Sequence, residues 1–286
     1  MTAKRNINVV DFYNTTKNIY YNLAAANGEI NPDRYFQLTD YICLPQRKDE
    51  MEFTFQQLVF HAQNVGSQLR SIVNYDVNHL NIEKVLFQFD ANEVSLKYDG
   101  LAGIEKLRKE FEKFMKVDYS KSKNPGSLLR NYSKCIIECA NYLKKFSSKK
   151  EVLNDLLLNY CGQNKNYQTL LEYFGKAITS TQYGIALRCD FLKEFDIAFI
   201  DLPKPDRHIK QVIGKLLYGD TQHYSDSKSD MYALIEDFQA IVKEINTQLP
   251  SENLTVYKLD RMIYIICSGS FFLSSGTIKD NYLNVI

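Results

Sequence analysis

Apolar positions recur at helical spacing through most of the chain. Across residues 7 to 25, Val10, Phe12, Tyr13, Ile19, Tyr20 and Leu23 share one face, and the run stops at ANGEINPD, a Gly, Asn and Pro exit. A second short helix is expected just after it, with Asn31 or Asp33 as its cap. From 53 to 73, FTFQQLVFHAQNVGSQLRSIV sets Phe55, Leu58, Val59, Ala62, Val65 and Leu69 on one side and predicts a long amphipathic helix. His61 lies on that helix as a packed or exposed side chain rather than a catalytic one. Residues 84 to 98 read differently. Val85 to Phe89, a polar Asp90-Ala91-Asn92, then Val94, Leu96 and Tyr98 alternate with period two about a turn, which predicts a β-hairpin. Helical spacing returns from Leu101 to Met115, with Asp99 as the N-cap.

The polar, Pro- and Gly-bearing stretch VDYSKSKNPGS, 117 to 127, marks a linker or surface loop. A boundary near 120 divides the chain into 1–120, a helical subdomain carrying the hairpin, and 121–286, a second helical domain. In the latter, helices are predicted at about 128–147, 150–160, 167–178, 182–195, 206–218, 229–247 and 255–267. A second polar loop, GDTQHYSDSKSD, spans 219–230. Asp260 falls near the start of the last of these helices, and Gly269, just past its end, is the expected C-cap. No repeat of fixed period is visible. The expected fold class is therefore mostly α, two helical subdomains with one small β-hairpin.

Composition agrees with helix: 45% hydrophobic residues and 13% aromatics suffice for a packed core, while 12 Gly and 6 Pro in 286 residues disfavour a turn-rich all-β fold. The longest apolar run, Met262 to Cys267, is far short of the roughly 20 residues a membrane span needs. No apolar segment of secretory type follows the first residues, so a cytoplasmic protein with no membrane partner is expected. The six cysteines are scattered and fit reduced thiols. Cys135 and Cys139 share a helix face, read as buried packing rather than as two metal ligands, and no metal site is expected. The net charge is +1, so any nucleic-acid surface must come from local clusters: Lys144-Lys145, Lys149-Lys150, and Lys204, Arg207, Lys210 and Lys215. Signatures of phosphate-binding loops, zinc proteases, serine hydrolases and dinucleotide folds are absent.

One segment carries chemistry: ITSTQYGIALRCDFLKEFDIAFIDLPKPDRHIKQVI, 178 to 213. Gly184 precedes a helical IALRCDFLKEF, and after a loop Lys204-Pro205-Asp206-Arg207-His208-Ile209 opens the next helix. In this order and spacing the segment resembles the helix-hairpin-helix DNA glycosylase superfamily of base excision repair. The resemblance implies DNA as partner and hydrolysis of the N-glycosidic bond of a damaged or modified base. Asp206 matches the catalytic aspartate. Gly184, with the backbone of Gln182 and Tyr183, matches the phosphate-holding hairpin, and His208 and Lys210 fall where DNA phosphate is contacted. A fixed carboxylate suits this work, because losing a base leaves positive charge on the sugar. A glycine lets amides approach a phosphate closely. Tyr183, Tyr264, Phe271 and Phe272 are candidates for stacking a flipped base, Tyr264 and Phe271 foremost. Bifunctional members carry a lysine where this chain has Ala186, so a monofunctional enzyme without lyase activity is expected. No organic cofactor is implied; a monovalent cation at the hairpin belongs to the family pattern, whereas its four-cysteine iron–sulfur motif is missing here. The hairpin's first glycine is also missing, which leaves open a non-catalytic helix-hairpin-helix DNA-binding protein. A helical interaction module with no nucleic-acid role is a third reading, favoured by the low net charge.

Overall fold

Side-chain caps decide where many of the helices begin. Asn8 accepts from the Val10 and Asp11 amides, Asn31 from Asp33, Asp90 from Asn92 and Glu93, and Ser227 from Asp230. A computed structural model describes residues 4, 5, 7–45, 47–115, 125–160, 167–180, 183–268 and 276–286. In chain order the α-helices are α1 (Val9–Ile30), α2 (Pro32–Tyr41), α3 (Met51–Ala62), α4 (Ser67–Val73), α5 (Tyr75–Val85), α6 (Ala91–Lys97), α7 (Gly100–Glu112), α8 (Pro125–Leu143), α9 (Lys149–Tyr160), α10 (Tyr167–Ala177), α11 (Ile185–Phe195), α12 (Arg207–Tyr218), α13 (Lys228–Gln248), α14 (Val256–Ser268) and α15 (Gly276–Val285). No strand occurs among the described residues, and the chain is mostly helical as its periodicity predicts.

The hairpin expected at 84–98 is a correction. Val85 ends α5, a 3-10 turn covers Phe87–Phe89, and α6 follows. Asp90 accepts amide bonds at its side chain and starts a helix where a turn was expected. Val94 and Tyr98, four residues apart, are both fully buried, whereas Leu96 is 79% exposed. Those positions thus obey helical spacing, and the apparent alternation was coincidental. Phe87, Gln88 and Phe89 all take positive φ, 52°, 55° and 63°. Such a left-handed turn of three non-glycine residues has no hydrophobic signature. The long helix expected at 53–73 is also interrupted: α3 gives way to a 3-10 turn, Gln63–Val65, and to extended Gly66 before α4. The predicted C-cap Gly269 lies outside the described residues.

The chain divides into two compact units, one made of 1–46 with 192–286 and the other of 47–191. This division does not coincide with the boundary near 120, and the residues around 120 lie outside the described set. In the discontinuous unit, α14 packs against α1, α12, α13 and α15. Leu259, Met262, Ile263 and Ile266 of α14 meet Phe12 and Tyr20 of α1, Ile209 and Ile213 of α12, and Phe238 and Ile241 of α13 in one apolar core. Tyr282 of α15 is buried there with its hydroxyl 2.8 Å from Thr16 Oγ1. In the contiguous unit, α8 packs against α3, α6 and α7. Its Cys135 and Cys139 are fully buried, and His61 of α3 is packed beside Asp190, 3.4 Å between Nδ1 and Oδ2.

Candidate functional site

Asp206 stands at the N-terminus of α12. Ile209, Val212, Ile213, Leu216 and Leu217 form the buried stripe that seats this helix, and Gly219, at φ +73°, ends it in the left-handed conformation that glycine favours. The carboxylate caps the first turn through one oxygen: Oδ1 accepts from the His208 amide at 2.8 Å and the Ile209 amide at 3.1 Å. Among the described residues Oδ2 accepts no hydrogen bond. The positive end of the helix dipole reinforces the hold on a negative cap. Upstream, the chain reaches Asp206 through Pro203 and Pro205, and the Asp206 amide donates back to the Lys204 carbonyl at 2.7 Å. Gln239 of α13 fixes the same loop by donating to the Asp201 carbonyl at 2.6 Å.

Aromatic rings and cations surround this end of the helix. His208 is half-buried, its ring edge-on to Tyr264 at 6.0 Å between centroids. Burial lowers its pKa below the ordinary value; Asp206 opposes that shift, whereas Lys279, Arg207 and Lys204 add to it. The imidazole is therefore neutral near pH 7, and its Nδ1 is buried with no hydrogen-bond partner among the described residues. Tyr264 is half-buried, 6.4 Å from the Tyr41 ring and 5.9 Å from the Lys204 ammonium. Lys279 donates to Gln211 one turn along α12. Lys210 points elsewhere: its side chain is only 8% exposed and pairs with Asp226, so its charge is already matched. Other basic residues singled out from the sequence are similarly engaged, Lys149 with the Lys48 carbonyl at 2.7 Å and Lys144 with Ser95 at 2.6 Å.

A second carboxylate lies behind the first. Asp260 of α14 is buried, and its Oδ2 accepts from Lys193 Nζ at 2.5 Å and from the Lys204 amide at 3.0 Å. Burial pushes its pKa up against the pull of Lys193, and the negative charge of Asp206 acts in the same direction as burial. The next residues along each helix are also paired, Arg261 with Glu194, and the Arg261 guanidinium lies over the rings of Tyr41 and Tyr257 at 4.6 and 5.0 Å. From sequence, Asp260 is only a residue near the start of an apolar helix. A charged side chain at a core-facing position of α14, and Lys193 within the apolar stripe of α11, are the signals that could have found the pair.

The residues matched to the hairpin belong to the contiguous unit, while Asp206, His208, Lys210 and Tyr264 belong to the other. Gly184 is exposed and leads into α11, its carbonyl accepting from the Leu187 and Arg188 amides at 3.1 Å. A methyl group there would meet nothing within 4 Å, and the backbone is not left-handed. Tyr183 is fully buried against Phe174, 6.0 Å between centroids, and its hydroxyl finds no partner among the described residues. Its side chain is therefore part of a core and not a stacking surface. Gln182, Phe271 and Phe272 lie outside the described residues.

Among the described residues no group of three or more His, Cys, Asp and Glu side chains is arranged to hold a metal, and no helix is long and apolar enough to cross a membrane. Comparison with protein-family models, with curated proteins and with solved structures finds no match to the chain.

Proposed function

We propose that the chain is a monofunctional DNA glycosylase that hydrolyses the N-glycosidic bond of a damaged or modified base, with Asp206 as its catalytic carboxylate. The observation that carries this reading is the division of labour within one side chain: Oδ1 is held by two helix amides, while Oδ2 has no partner among the described residues. A carboxylate fixed in this way needs no reorganisation to face positive charge, which is what electrostatic catalysis asks of it.

As the bond from the sugar C1′ to the base breaks, its electron pair leaves with the base and C1′ becomes cationic. Oδ2 of Asp206 stabilises that cation and accepts a proton from the water that adds to C1′. Lys204, Arg207 and Lys279 supply the positive field that a phosphate backbone requires. The neutral His208 contributes hydrogen bonding rather than charge, and Tyr264 offers a ring on which an extruded base can stack. Ala186 replaces the lysine that a Schiff-base route would use, which favours direct hydrolysis.

The test is base release from duplex and single-stranded oligonucleotides bearing uracil, 8-oxoguanine, alkylated purines and hypermodified bases, with Asp206→Asn in parallel. Abasic sites revealed by alkali with the wild type, lost in the variant and without strand breakage before alkali, are expected. Salt-dependent DNA binding without release from any substrate would replace the proposal with a non-catalytic DNA-binding protein. Weak, salt-insensitive association would remove DNA from the account.

A further inference from the structure

We propose that the buried Lys193–Asp260 pair is the positioning element of Asp206, and that Lys193 and Asp260 act on the reaction through the loop rather than by touching substrate. The inference rests on the reading of Asp206 as the catalytic carboxylate.

Stability does not explain the pair by itself. The two side chains are 1% and 3% exposed, and withdrawing both charges from water costs roughly what their attraction returns, so apolar residues of similar volume generally serve a core as well. What apolar residues lack is an acceptor. Between Pro203 and Pro205 the Lys204 amide is the one backbone donor, because proline carries none. Asp260 takes that donor at 3.0 Å, and the carbonyl of the same residue takes the Asp206 amide at 2.7 Å. A continuous series of hydrogen bonds thus runs from Lys193 through Asp260 and both backbone groups of Lys204 to Asp206. Pro203 and Pro205 restrict φ on either side, so little freedom remains for the loop to move independently of Asp260.

The anchor also sets what Asp206 faces. Tyr264 lies four residues after Asp260 on α14, so both project from one face of the helix. One end of that face holds the loop that presents the carboxylate, and the other carries the ring beside His208. Arg261 and Glu194, adjacent to Asp260 and Lys193, join the same two helices a second time. The spacing between carboxylate and ring is therefore set by α14, not by the loop.

Two double variants separate positioning from folding. Lys193→Met with Asp260→Asn removes both charges but leaves an amide oxygen for the Lys204 N–H. Lys193→Met with Asp260→Leu removes the charges and the acceptor. Amide hydrogen exchange, thermal melting and base release are measured on both and on the wild type. In the Leu variant the Lys204 and Asp206 amides are expected to exchange about 100-fold faster, with Ile263 and Ile266 in α14 unchanged. The rate at saturating substrate should fall about 100-fold with little change in KM, the order of loss that follows a displacement of about 1 Å at a reacting group. The Asn variant should recover most of the exchange protection and of the rate. Continued protection of Lys204 and Asp206 in the Leu variant, or wild-type turnover with these amides exposed, would overturn the proposal. If the wild type releases no base while the exchange pattern follows expectation, the anchoring of the loop stands and the catalytic reading of Asp206 falls.

Discussion

The ammonium of Lys193 lies 2.5 Å from the carboxylate of Asp260, both side chains are shielded from water, and the carboxylate also accepts from the backbone amide two residues before Asp206. Removing one partner strands the other. Lys193→Met is expected to destabilise the protein by about 3–5 kcal/mol, because an uncompensated carboxylate then remains inside. Adding Asp260→Leu should recover much of that loss. Urea midpoints with unchanged slope would check both statements.

Asp206→Asn and Asp206→Ala should differ in stability but not in activity. Asparagine caps a helix about as well as aspartate, so the first change should leave melting nearly unaltered. Alanine gives up the bonds to the His208 and Ile209 amides and should cost about 1 kcal/mol. On the proposed reading of Asp206 as the catalytic carboxylate, both should lose base release.

His208 makes a pH-dependent contribution whose sign follows from its burial. Its pKa in the folded protein is lowered, so the unfolded chain, near 6.5, takes up the proton first. The contribution is present in full above about pH 6.5 and is lost as pH falls from there through the folded value. His208→Phe should flatten that part of the stability curve relative to wild type. Chemical denaturation repeated from pH 8 to 5 would show it, and an unchanged curve would assign the acid sensitivity to other groups.

Two glycines should respond in opposite ways. Gly103, in α7, has the backbone of Tyr98 where a Cβ would go, with Tyr98 Cα at 2.7 Å and the carbonyl closer still. Gly103→Ala should therefore destabilise by about 1–3 kcal/mol. Gly184→Ala meets no neighbour and should be neutral or stabilising by up to about 1 kcal/mol. If the amides around Gly184 hold a phosphate, the added methyl should still weaken DNA binding. Thermal melting and a salt titration of binding distinguish the two effects.

The helices were legible where an apolar stripe and a cap coincide. In α12 the proline, the aspartate and five buried aliphatic residues state the element and its first residue in one short stretch. Residues 84–98 were misread because Val94 and Tyr98 satisfy both period two and the helical i, i+4 spacing, and only the Asp90 cap separates the two. Helices α5 and α15 were not expected from the sequence, and α5 has no side-chain cap bond to mark its start. Asp206 itself was readable because its role as a cap is local. Lys193 and Asp260 were not, since their partnership joins positions 67 residues apart in the chain. Lys210 and Tyr183 show the converse limit. Their residue types suit a phosphate and a base, but burial and the Asp226 carboxylate engage them otherwise.

The division into units bears on synthesis. Residues 47–191 form an uninterrupted insertion between the two pieces of the other unit. During translation the insertion has all of its own chain before the host is complete, and domains generally fold as they emerge. Helices α1 and α2 pack on each other, but the faces they bury against α12 to α14 stay uncovered until those helices have been made, the last of them ending more than 220 residues after α2. The core that holds Phe12, Tyr13 and Tyr20 therefore closes only after the whole of the insertion has been made.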